Sequence, residues 1–157
     1  MKATMDAWRK FNRLSGGERS VALEAAGALL ATWLGLCLIG FRQWKRFLAR
    51  LLPAKIASPE RACSDVTASA RRISQLEMAA ARNIPLRTNC LERSLVLWWL
   101  LERRGIAAEL RIGARKDADH LEAHAWVELE GQVLNEPAEQ HLHFVPFDGP
   151  IASWETQ

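Results

Sequence analysis

Cys90 opens an apolar stretch, and His124-Ala125-Trp126-Val127-Glu128 lies a short way downstream. A thiol at a helix N-terminus and an imidazole on a following strand are two-thirds of a cysteine-hydrolase site. The thiolate is the nucleophile, and the partial positive charge of a helix N-terminus favours it. A neighbouring His can take the thiol proton and later hand it to a leaving amine.

The third member would hold the imidazole tautomer. Glu136, just after the return strand of a hairpin, is expected next to His124; Asn135 is the competing choice, since an amide fills this role in other cysteine hydrolases. The backbone N–H of Cys90 is the expected oxyanion donor, helped by Asn89 or Thr88. His124, Trp126 and Glu128 share one strand face, and Ala123, Ala125, Val127 and Leu129 the other. Packing the Cys90 helix N-terminus over the first face would bring His124 to the thiol, with Trp126 as a shield from water and Glu128 as an orienting or salt-bridging group.

The elements that must carry these groups follow from periodicity. Met5, Trp8, Phe11 and Leu14 have helical spacing, and a second helix is expected over 18–39, interrupted at Gly40, with a basic amphipathic turn over 41–52. Pro53 and Ser58-Pro59 mark a linker. The expected division is therefore a helical subdomain, 1–58, and a core, 59–157. A third helix should cover 60–82. The helix 90–104, capped by Asn89 or Thr88, is apolar nearly all round and so central and buried. The period then changes: 107–114 and 122–130 read as strands joined by a charged loop, Arg115 to Asp119, followed by a turn at Gly131, a return strand over 132–135 and one more strand or apolar tail around Leu142 to Phe147. Helices first and an antiparallel sheet later give an α+β fold.

Composition excludes several classes. The 157 residues are 49% hydrophobic and 25% charged, globular values, with a net charge of only +3. The basic residues are scattered, with Arg42, Lys45, Arg46 and Arg50 the only dense group, and no aromatic stacking residues interleave with bases on one strand face, so nucleic-acid binding is not expected. Three Cys with no close pair point to free thiols and a reducing cytoplasm; Cys37 reads as an inert core thiol and Cys63 as structural. His120 and His124, or His141 and His143, have same-face spacing but lack carboxylate support, so neither a metal nor another cofactor is expected. The stretch from Ala25 to Phe41 carries no charge. Spanning a bilayer takes about 20 apolar residues, so a buried helix is expected there, with membrane contact as the rival.

Asn89-Cys90-Leu91-Glu92-Arg93-Ser94-Leu95, Arg104-Gly105-Ile106, Leu110-Arg111-Ile112-Gly113 and Ala123-His124-Ala125-Trp126-Val127-Glu128 with Gly131 resemble the transglutaminase-like leader peptidases of lasso-peptide biosynthesis. The similarity covers about residues 60 to 140. It implies a transglutaminase-like or papain-like core, a central Cys-bearing helix on a small antiparallel sheet. It also implies cleavage of the leader from a ribosomal precursor peptide by a Cys-His-acid triad, with Cys90 as nucleophile and His124 as base. The family acid is usually an Asp after the return strand; Asn135-Glu136 stands there in this chain. Some members carry a fused leader-binding domain. Because residues 1–58 read as helical, the implied partners are a separate leader-recognition protein and an asparagine-synthetase-type macrocyclase. Two other readings remain: an acyl transferase of the same fold, and a non-catalytic scaffold.

Overall fold

A computed structural model of the chain describes residues 11–52, 63–117, 120–136 and 141–147. The expected helix over 5–14, apart from its end, the linker around Pro53 and Ser58-Pro59, and the boundary at residue 58 lie outside them.

Helix α1 (Gly16–Arg50) starts at a capping box: the Glu18 N–H donates to Ser15 Oγ, 3.3 Å, and the Ser15 N–H to Glu18 Oε2, 2.8 Å. That backbone bond, then Arg72, holds the Glu18 carboxyl down at about 2. At Gly40 the backbone leaves the helix with φ 78, a conformation that suits glycine. The chain bends there, and Trp44 folds back to donate from Nε1 to Thr32 Oγ1, 3.1 Å. Its ring lies 2.2 Å from where a methyl on Gly35 would stand.

Helix α2 (Cys63–Asn83) buries Ala70, Ile73, Leu76 and Ala80 at helical spacing. Helix α3 (Cys90–Glu102) is the central element, with Leu95, Val96, Leu97, Leu100 and Leu101 inaccessible or nearly so. It stops two residues before the expected Arg104. Gly105 takes φ 73, and the Ile106 N–H donates back to the Leu101 carbonyl, 3.0 Å, a glycine stop. Arg103 and Arg104 instead tether the helix to α1 through Glu24, at 3.0 and 2.6 Å.

The sheet is antiparallel, in the order β3-β2-β1-β4. Strand β1 (Glu109–Asp117) pairs along its whole length with β2 (His120–Leu129), Leu110 opposite Val127 and Gly113 opposite His124. The charged loop expected from Arg115 to Asp119 is therefore largely strand. Its charges are satisfied across the ladder, Arg115 against Glu122 at 2.6 Å. Glu130 and Gly131, both at positive φ, make the tight turn into β3 (Gln132–Val133), which is shorter than the expected return strand. A 3-10 turn (His141–His143) leads to β4 (Val145–Pro146) on the far edge, beside β1.

One core joins the layers. Ala25, Leu29 and Leu48 from α1, the α2 face and the α3 leucines pack with Leu110, Val127 and Leu129 of the sheet. The charge-free segment 25–41 is only half covered, contrary to expectation. A helix resting on one neighbouring surface buries one face, and Leu30, Leu34 and Leu38 fall on the other. Cys37 lies on that outer side and is exposed, not a core thiol.

Candidate active site

The sequence Asn89-Cys90-Leu91-Glu92 builds its own helix start. Asn89 Oδ1 accepts the Glu92 N–H and Glu92 Oε2 accepts the Asn89 N–H, each at 2.9 Å. This reciprocal cap sets Cys90 at the first helical position, where backbone N–H groups have no intrahelical acceptor. Asn89 is thus committed by its oxygen to the cap; Thr88 precedes it in non-helical chain. The Cys90 thiol is half-buried and free.

Cys90, His124, Asn135 and Glu136 line a single cavity of about 500 Å³, whose other walls include Met78, Arg82 and Arg93. His124 lies on β2 beyond the point where β3 ends, so the strand edge there is open to the cavity. Glu136 Oε2 contacts His124 Nε2 directly. Both side chains are mostly enclosed, 14% and 7% exposed. A carboxylate at Nε2 favours the tautomer protonated there and leaves Nδ1 with its lone pair. The described hydrogen bond of the ring is this one, so thiol and imidazole share a cavity without being bonded to each other.

Asn135 plays a different part from Glu136. It is buried, its Oδ1 accepts the Val127 N–H at 3.0 Å, and its Nδ2 donates to Ser94 Oγ at 2.9 Å. Ser94 Oγ in turn donates to the Ala125 carbonyl, 2.9 Å. This clamp bolts α3, one turn after Cys90, to β2 on either side of Trp126. With both amide ends used, Asn135 positions the two elements, and the group on the imidazole is Glu136.

Contrary to the expectation, the helix does not cover the Trp126 face. Val127 and Leu129 face the helical layer, because they are the continuous apolar set; Trp126 is on the reverse side of the sheet. There the C-terminal segment covers it. His124 stacks on Phe144 at 4.8 Å and on Trp126 at 6.1 Å, and Trp126 meets His141 at 6.0 Å. Gly113, opposite His124, leaves room for this layer: a methyl there would stand 2.8 Å from the Val145 carbonyl oxygen and 2.9 Å from the Trp126 ring. Trp126 Nε1 donates to Glu128 Oε1, 2.6 Å, and Glu128 pairs with Arg111 at 3.3 Å. Glu128 therefore steers Trp126 and does not reach the imidazole.

Sequence reasoning missed Phe144 and the pair Glu77–Arg93. Glu77 is fully buried, and its Oε1 lies 3.5 Å from Arg93 Nε, too long for a hydrogen bond. Burial pushes its carboxyl up to about 7 against the pull of Arg93. The signal was its register: Glu77 falls between Ile73 and Ala80 on the buried face of α2. Among the described residues no three His, Cys, Asp or Glu side chains converge to hold a metal.

A family model described as the transglutaminase-like superfamily matches residues 35–147. No curated protein and no solved structure matches the chain.

Proposed function

Because the chain belongs to the transglutaminase-like superfamily, we propose that it is a cysteine peptidase that removes the leader from a lasso-peptide precursor, with Cys90, His124 and Glu136 as its triad. The observation that carries this reading is the contact of Glu136 with His124 Nε2 at the wall of the cavity that Cys90 also lines.

The chemistry follows from those positions. His124 Nδ1 takes the proton of the Cys90 thiol as the sulfur attacks the scissile carbonyl carbon. The resulting oxyanion accepts hydrogen bonds from the unshared N–H groups of the first α3 turn. Glu136 stabilises the imidazolium and holds the tautomer that leaves Nδ1 free to act as the base. The imidazolium returns its proton to the leaving amine as the C–N bond breaks. Water, deprotonated by His124, then opens the thioester and restores the thiol. Trp126 and Phe144 shield the imidazole from bulk water. Asn89 supports this indirectly, as the cap of the helix that offers the oxyanion donors. Leader recognition falls to a separate protein, and the freed core amine passes to an ATP-using macrocyclase of the asparagine-synthetase type. No cofactor takes part.

The full chain, alone and with a leader-binding protein, should be incubated with lasso precursor, beside Cys90→Ala. A leader-sized mass that requires the thiol supports the peptidase. A product lighter by water and joined to an added amine would instead identify an acyl transferase, since only the second nucleophile differs. Bound but uncut precursor in every sample would identify a scaffold.

A further inference from the structure

Helix α1 carries an apolar stripe that no other described residue covers. Leu23, Leu30, Leu34 and Leu38 follow one another at helical spacing, with Leu34 49% and Leu38 73% exposed, and Trp33 and Ile39 flank them. The opposite side, Ala25, Leu29, Thr32 and Gly35, is buried against the protein. The stripe runs about 22 Å from Leu23 to Leu38 at the rise of an α-helix. Much of it precedes the part of the chain that the family model matches, residues 35–147.

Two features identify what covers this face. First, it offers hydrocarbon and almost nothing else: the intervening exposed positions are Gly27, Ala31 and Cys37. Specific protein interfaces carry about one hydrogen bond per 100–200 Å², and this stripe supplies few side-chain partners for them. Second, the charge-free run ends in Arg42, Arg46 and Arg50, all exposed, with exposed Phe47 and Leu51 set among them. Leucines that enter an acyl boundary, a tryptophan at its edge and guanidiniums at headgroup level are the parts of an interfacial helix. Spanning is excluded by packing, since one face of α1 is already buried on α2 and α3. We propose that this face of α1 seats the protein in the plane of an anionic membrane surface. The inference stands apart from the chemistry of the Cys90 cavity.

Flotation of the full chain with vesicles tests it, using phosphatidylcholine alone and phosphatidylcholine with about one-third phosphatidylglycerol. The chain should float with the anionic vesicles, and salt should weaken it. Leu34→Ser combined with Leu38→Ser should lower binding at least about tenfold. Arg42→Gln with Arg50→Gln should lower it about fivefold for each guanidinium removed. All four positions are exposed, so circular dichroism should report an unchanged fold. Absence of binding to either vesicle, equal binding to both without salt dependence, or a dimer broken by the leucine changes in place of vesicle binding would each overturn the proposal.

Discussion

His124 and Glu136 meet across the Glu130-Gly131 turn, imidazole Nε2 to carboxylate Oε2, with both groups largely withdrawn from solvent. A contact so enclosed fixes the ring direction without competition from water. Glu136→Ala should therefore lower kcat by about 10²-fold or more, with Glu136→Gln recovering part of the loss because it keeps an acceptor oxygen. Single-turnover cleavage of a precursor peptide measures both.

Asn135→Ala should act on stability first. It strands the buried Val127 N–H and unhooks Ser94, a cost of about 1–3 kcal/mol. Urea unfolding should show it as a lower midpoint. Asn135→Ala leaving stability intact while abolishing cleavage would move the orienting role from Glu136 to Asn135.

Glu77 makes the protein sensitive to pH in a predictable direction. Its folded carboxyl is raised to about 7 from an ordinary 4.5, so between those values the folded state holds more proton than the unfolded one. The contribution of Glu77 to stability should accordingly be greatest below about 4.5, fall as pH rises towards 7, and level off above. Glu77→Gln should flatten that slope, as thermal melts across the interval would record.

Gly113→Ala should push Val145 or Trp126 aside, given the 2.8 and 2.9 Å approaches, at a cost of about 1–3 kcal/mol. Because Trp126 stacks on His124, cleavage should slow as well as stability drop. Loss of stability with unchanged turnover would show that the tail can yield without disturbing the imidazole.

Local chemistry made much of this fold readable. The cap at Asn89, the stop at Gly105 and the turn at Gly131 depend on residues within one turn of each other. Periodicity likewise separated the central helix from the strands and gave the α+β class. Contacts between distant segments left no such trace. Nothing about Phe144 announces that it lies on His124, and nothing in Asn135-Glu136 tells which of two adjacent polar residues turns towards the imidazole; the buried bonds of Asn135 to Ser94 and Val127 decide that. The charged run at Arg115 looked like a loop because its partners, such as Glu122, stand on the neighbouring strand. The apolar run 25–41 misled for a related reason: hydrophobicity reports that a helix avoids water, not whether protein is what replaces it.

The Asn135 clamp also bears on how the chain comes to its final form. Its bonds bridge 41 residues, Asn135 to Ser94, and 31 residues, Ser94 to Ala125, whereas the β1–β2 hairpin closes through near neighbours. Hairpins form in about microseconds, while long-range closure waits on the loss of chain entropy. The helix that carries Cys90 and the strand that carries His124 are thus held in register by contacts distant in sequence. A nascent or half-folded chain carries a thiol on a helix and a histidine on a ribbon with nothing to register one against the other. Completion of the fold, and not the appearance of either residue, would be the event that switches the proposed chemistry on.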